Sequence, residues 1–186
     1  MTQSAEFEDF WVFAYGSLIW RPDFEFLEAA IGRLQGWHRS MCILSTHYRG
    51  CAERPGLVLG LDHGGSCLGR AYRVEARKAA EVREALDLRE LVTGVYEPRF
   101  LPVHLRDGRT VKAYAYLAVR QHVQYHPPQD MDHSATLIRQ GHGHGGSARD
   151  YLAHTVEHLR SLGIRDRRME ALLRLVDQDE DLTKLR

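Results

Sequence analysis

No run of this chain approaches the roughly 18 consecutive apolar residues of a membrane span. The first ten residues are acidic and polar, where a secretory signal would be basic and then apolar. A cytoplasmic protein without a membrane partner is expected. Cysteine is scarce: Cys42, Cys51 and Cys67 are odd in number and lack C-x-x-C spacing, which excludes a disulfide framework or a thiolate zinc site and leaves reduced thiols. Net charge is missing too. Twenty-five Lys and Arg offset 25 Asp and Glu, and the pI of about 7.2 removes the electrostatic footprint of a nucleic-acid binder. Asparagine is absent and only Lys78, Lys112 and Lys184 are lysine, a bias that genome base composition explains as readily as function.

Repeats, low-complexity tracts and dividing linkers are lacking as well. What remains is 186 residues, 44% hydrophobic and 27% charged. A domain of this length buries roughly 70% of the surface its unfolded chain exposes and needs no staple. One domain over 1–186 is expected, strand-rich over 10–120 and helical over 131–180. Phe10 to Tyr15 is aromatic and β-branched and then meets Gly16-Ser17, a strand entering a tight turn. Trp37 to Leu44 is apolar. Leu57 to Leu61 and Leu68 to Val74 read as a hairpin split at His63-Gly64-Gly65-Ser66. Arg99 to Leu105 and Thr110 to Val119 join across Asp107-Gly108, and Tyr114 and Tyr116 alternate with Ala113, Ala115 and Leu117 as in a sheet packed on both faces. Helices are expected at Glu75 to Glu90, Met131 to Gln140, Asp150 to Leu162 and Asp166 to Asp177. This segregation indicates an α+β fold, with closure of the sheet left open.

Two places could carry chemistry. On a helical wheel Ala79, Val82, Leu86 and Glu90 share one stripe, whereas Glu81, Glu84 and Asp87 point elsewhere. A carboxylate on the core-facing stripe is desolvated, its pKa rises, and it becomes a candidate general acid or base near neutral pH. The bland alternative is a helix that ends before Glu90, or an arginine such as Arg89 that pairs with it. The second place is the turn Tyr15-Gly16-Ser17-Leu18, where glycine permits positive φ and successive N–H groups can converge on an anion or carbonyl oxygen.

Three motifs are weaker. Gly141 to Gly146 satisfies G-x-G-x-x-G but follows a helix, whereas a dinucleotide fingerprint follows a strand. His154-Thr155-Val156-Glu157-His158 satisfies the inverted zinc-protease motif. Leu152, Val156 and Leu159 form that helix's apolar stripe, however, and the two histidines lie nearly opposite it. No cysteine has a nucleophile's local signature.

Phe13-Ala14-Tyr15-Gly16-Ser17-Leu18-Ile19-Trp20, Ser45 to Gly50 with Arg54-Pro55-Gly56, and Leu88-Arg89-Glu90 followed by Val95-Tyr96 together resemble the ChaC family of γ-glutamylcyclotransferases. The likeness continues through Gln124-Tyr125, Asp150-Tyr151-Leu152, His158-Leu159 and Leu162-Gly163-Ile164, in order over nearly the whole chain. The resemblance implies cleavage of glutathione, a small-molecule substrate, to 5-oxoproline and cysteinylglycine without cofactor, metal or water. It also implies a mixed-strand β-barrel flanked by helices. It places the catalytic glutamate at Glu90, the substrate-holding turn at Ala14, Tyr15, Gly16, Ser17, Leu18 and Ile19, and a pocket tyrosine at Tyr125. The chain departs from the family at Ala14, usually glycine, at His126-Pro127-Pro128, and at Gly145-Gly146-Ser147-Ala148, where a Ser-Gly-x-Asn cluster is usual.

The implied reaction is an intramolecular aminolysis, which draws on the large effective molarity of oriented reactants. Glu90 would take the ammonium proton and return it to the leaving amine, with N–H groups of the Gly16 to Leu18 turn holding the oxyanion. Arg49 is suited to a substrate carboxylate, or simply ties down its own loop. The competing readings are a cyclotransferase for another γ-glutamyl peptide or amine, a zinc hydrolase using His154, Glu157 and His158, and a silent metabolite-binding module. Burying an unpaired carboxylate gains a pure binder little. Sequence does not set the oligomeric state, nor whether the loop from Gln140 to Ser147 is a mobile lid.

Overall fold

The structure, a computed structural model, describes the backbone of residues 10–128 and 130–184 and the side chains of these through 178. The polar start of the chain, on which the expectation of no signal sequence rests, lies largely outside the described residues. By its contacts the chain divides into two compact units, Met1–His38 with His63–Leu117, and Arg39–Asp62 with Ala118–Arg186.

Five strands close a mixed barrel in the order β1-β3-β2-β4-β5. These are β1 (Phe10–Ala14), β2 (Glu28–Ser45), β3 (Gly56–Val74), β4 (Tyr96–Leu105) and β5 (Thr110–Ala118). All five β1 residues are buried, so both faces of this strand are covered. β1 pairs antiparallel with β3, Phe10 opposite Val74 and Ala14 opposite Arg70, and parallel with β5, Trp11 opposite Ala113. β2 pairs antiparallel with β4, Gly32 opposite Leu105.

One expectation fails in an instructive way. His63 to Ser66 is no hairpin turn, because β3 runs unbroken through 19 residues. Gly64 and Gly65 take φ of 103° and 67° inside the strand, and the Gly64 carbonyl accepts a 3.0 Å hydrogen bond from His38 Nδ1–H. Paired positive-φ glycines within a strand mark a bulge that bends it. Strands β2 and β3 are thereby long enough to contribute to both units.

In the first unit a 3-10 turn, Ser17–Ile19, follows β1, and α1 (Ala79–Glu90) buries Val82 and Leu86. The second unit carries α2 (Met131–Gln140), a two-stranded hairpin of β6 (His142–Gly143) and β7 (Gly146–Ser147), α3 (Ala148–Ser161) and α4 (Arg167–Lys184). Each of these helices begins on a side-chain cap. Asp130 accepts from His133 N–H at 2.7 Å, Ser147 from Asp150 N–H at 2.9 Å and Asp166 from Met169 N–H at 3.2 Å. The sequence departure at Gly145 to Ala148 is thus a tight turn ending in a helix cap.

The glycines of that segment are there for close approach. A Cβ on Gly143 would sit 2.4 Å from the His47 carbonyl oxygen, and one on Gly141 would sit 2.3 Å from Gly56 Cα. Gly145 N–H donates to the Tyr48 carbonyl at 2.9 Å, and the Arg49 guanidinium donates to the Gly145 carbonyl while lying 5.5 Å from the Tyr151 ring centre. The His-rich loop is fastened to the 47–56 loop, and Arg49 ties down its own neighbourhood.

Candidate active site

The turn after β1 is shaped from within and held from outside. Ile19 N–H donates to the Gly16 carbonyl at 2.9 Å, and Trp20 and Arg21 N–H donate to the Ser17 carbonyl. The turn's own hydrogen bonds therefore leave out the N–H groups of Gly16, Ser17 and Leu18, as at the start of any helical turn. Gly16 has φ of −133°, so the positive φ expected there is not what the turn uses. Ala14, Tyr15, Leu18 and Ile19 are all buried. From β3 the buried Tyr72 hydroxyl donates to the Leu18 carbonyl at 3.1 Å and the Ile19 carbonyl at 2.8 Å, fixing both peptide planes.

Helix α1 extends to Glu90, as the apolar stripe demands. The Glu90 side chain is 20% exposed, and burial pushes its carboxyl pKa above the usual value, the neighbouring Arg89 charge opposing the shift. A carboxylate at the negative end of a helix dipole is disfavoured in the same direction. The bland alternative is half true: Arg89 Nε does lie 3.1 Å from Glu90 Oε1. That guanidinium is shared, however. Its Nη1 donates to the Arg21 carbonyl and Asp23 Oδ2, each at 2.8 Å, and its Nη2 donates to Ser17 Oγ at 3.1 Å. One side chain therefore joins the candidate base to the candidate oxyanion turn.

Helix α1 is anchored one turn earlier. Asp87 accepts hydrogen bonds from the Tyr114 hydroxyl at 2.9 Å and the Tyr116 hydroxyl at 2.8 Å, both on β5. Burial and then that carboxylate push the Tyr114 phenol up to about 12 and raise Tyr116 further in the same direction. An open groove of about 610 Å³ runs along Ala80, Arg83, Glu84, Asp87, Leu88, Leu91 and Val92. Neither Glu90 nor the turn lines it, and the site rests on the residue geometry instead.

The structure thus links Glu90 to Ser17 through the Arg89 guanidinium. Tyr125 belongs to the second unit, where it bridges Ile43 and its hydroxyl donates to Asp62 Oδ2 at 3.0 Å. Its phenol is pushed up to about 12, by burial first and then by that carboxylate. Asp62 is 3% exposed and also pairs with Arg120 Nε at 2.7 Å. Burial, with the Asp62 charge adding to it, pushes the buried Cys42 thiol up to about 12 as well, so this thiol is inert at neutral pH. In the H-x-x-E-H motif His154 is exposed and its carbonyl accepts from His158 Nδ1–H at 2.7 Å. Among the described residues no group of three or more His, Cys, Asp or Glu side chains is placed to hold a metal ion. Sequence reasoning missed the span of Arg89 and the grip of Tyr72. No local pattern announces contacts 53 to 72 residues apart.

This barrel, with its glutamate at the end of α1 and its turn after β1, has the fold of the γ-glutamylcyclotransferases. A yeast γ-glutamylcyclotransferase specific to glutathione superposes with a TM-score of 0.84 at 24% identity, covering 91% of this chain and 96% of that one. The chain belongs to the ChaC-like protein family, whose model matches residues 10–179. It is 37% identical over 163 residues to the glutathione-specific γ-glutamylcyclotransferase of Escherichia coli, covering 88% of this chain and 71% of the relative. Identity to glutathione-specific γ-glutamylcyclotransferase 1 of Homo sapiens is 32% over 157 residues, covering 82% and 71%. No described helix is long and apolar enough to cross a membrane.

Proposed function

We propose that this protein, acting in the cytoplasm as one functional domain over 1–186, cleaves glutathione to 5-oxoproline and cysteinylglycine. The observation that carries the reading is Glu90. It is a shielded carboxyl with a raised pKa, tethered to the turn after β1, in a chain whose relatives are named for this reaction.

The α-amine of the γ-glutamyl group attacks its own γ-carbonyl, forming the lactam C–N bond as the bond to the cysteine nitrogen breaks. Nucleophile and electrophile share one molecule, so holding it in the cyclising conformer supplies much of the rate. At neutral pH the amine is mainly ammonium and the departing nitrogen needs a proton. The attacking nitrogen gives up two protons in passing from ammonium to lactam N–H, and the departing nitrogen takes up two in passing from amide N–H to ammonium; Glu90 accepts and returns them one at a time, which balances the reaction without water or cofactor. The N–H groups of Gly16, Ser17 and Leu18 face the developing oxyanion, a donor in such a site being worth about 3 kcal/mol. Ala14, Tyr15 and Ile19 shape the same turn.

Incubation of the purified protein with reduced glutathione tests this. Equal amounts of 5-oxoproline and cysteinylglycine, unchanged by a chelator, are expected. Glutathione left intact would refute the substrate, and chelator-sensitive release of glutamate would instead favour a hydrolase.

A further inference from the structure

Arg89 and Glu90 are sequence neighbours on α1, and residues one apart on a helix do not share a face. Their 3.1 Å contact exists because the guanidinium is held from elsewhere, by Ser17, Arg21 and Asp23. Each of its three nitrogens has a partner, and the side chain is 30% exposed. We propose that Arg89 is a positioning residue for the reaction, locking the Glu90 carboxyl at a fixed distance from the oxyanion turn and setting the pH at which it becomes a base. A planar guanidinium can span these partners, whereas a lysine ammonium is a single point charge on a flexible stem and cannot.

Tyr116 faces Glu90 electrostatically from β5, and its hydroxyl is committed to Asp87 on α1. Asp23, 59% exposed, faces Arg89 from the segment after the turn and partly neutralises it. Arg89 holds the Glu90 pKa down against burial. Removing the positive charge lets that pKa rise, so the acid limb of kcat/KM moves to higher pH. Removing the Asp23 charge leaves Arg89 less compensated, so the limb moves to lower pH. Asp23 sits at φ of 57°, a left-handed conformation that asparagine tolerates well, and Asp23→Asn therefore probes charge with the backbone kept.

The inference rests on Glu90 acting as the base in glutathione turnover. Its test is the pH profile of 5-oxoproline formation from glutathione by wild type, Arg89→Met, Arg89→Lys and Asp23→Asn, with thermal melting of each. Arg89→Met is expected to lower kcat about tenfold or more, change KM less than about threefold and shift the acid limb upward. Arg89→Lys should return the limb toward wild type without restoring kcat, and Asp23→Asn should shift it downward. Acid limbs that coincide in wild type, Arg89→Met and Asp23→Asn would overturn the inference while leaving the glutathione reading intact. If Arg89→Met does not fold, an unmoved Asp23→Asn limb is enough to overturn it. Wild-type protein that forms no 5-oxoproline would overturn both.

Discussion

Two largely shielded carboxylates, Asp62 the deeper, have opposite surroundings. Asp62, in the second unit, is 3% exposed and receives Arg120 at 2.7 Å and the Tyr125 hydroxyl at 3.0 Å. Glu90, in the first, is 20% exposed, and its described partner Arg89 divides itself among three other acceptors. Asp62 is held by a guanidinium and a phenol, which makes it a structural member of the unit. Glu90 is left short of donors at the C-terminal end of a helix, and its pKa rises. The difference marks which acid is available to exchange a proton: a carboxylate already saturated with hydrogen bonds has little basicity left to use.

The sharpest way to break this contrast is to neutralise Glu90. Glu90→Gln is expected to lower 5-oxoproline formation by about 10²–10⁴-fold, measured alongside glutathione binding, which should persist. Asp62→Ala should act on stability instead. It removes the carboxylate that the Tyr125 hydroxyl and the half-exposed Arg120 share, costing about 1–3 kcal/mol. For a chain of this size each kcal/mol lowers the melting temperature by about 2–4 °C. Tyr72→Phe removes two hydrogen bonds from the turn. It should cost about 1–2 kcal/mol in stability and lower kcat more than it raises KM, as steady-state kinetics will show.

A smaller effect concerns pH. The folded Glu90 pKa lies above its ordinary value, so folding favours the protonated form, and the ionised form destabilises the protein as pH rises through that raised pKa. Glu90→Gln should therefore melt higher than wild type at pH 8 and not at pH 4, as calorimetry at the two values will show. The smallest effect expected is that of His158→Ala, which removes a half-exposed ring bonded to its own helix. Glutathione turnover should change less than about twofold, within the range of surface substitutions.

The two regions also differ in what the sequence discloses. Glu90 was legible because helical periodicity places it four residues beyond Leu86, and β1 because an unbroken apolar run requires cover on both faces. Helices α1 to α4 and strands β4 and β5 follow from the same periodicities, their ends shifting by a few residues except at α4, which runs on from the expected Asp177 to Lys184. The length of β3 was hidden, since Gly64-Gly65 has the composition of a turn and only the continuous strand around it shows otherwise. Arg89 gave no sign of spanning Ser17, Arg21 and Asp23, because a tertiary hydrogen bond leaves no local pattern. For the same reason nothing in the sequence marks Asp62 as buried. Its burial depends on Arg120 and Tyr125 arriving from about 60 residues away. Arg49 was suggested as a carboxylate binder by its chemistry, and its contacts with Gly145 and Tyr151 show it to be a loop tie.

The central claim is that the substrate's own amine, relieved of its proton by Glu90, displaces cysteinylglycine with no water consumed. Turnover of glutathione in ¹⁸O-enriched water, followed by mass spectrometry of the products, tests it most directly. The account expects unlabelled 5-oxoproline in amounts equal to cysteinylglycine. Labelled glutamate in place of 5-oxoproline would contradict it.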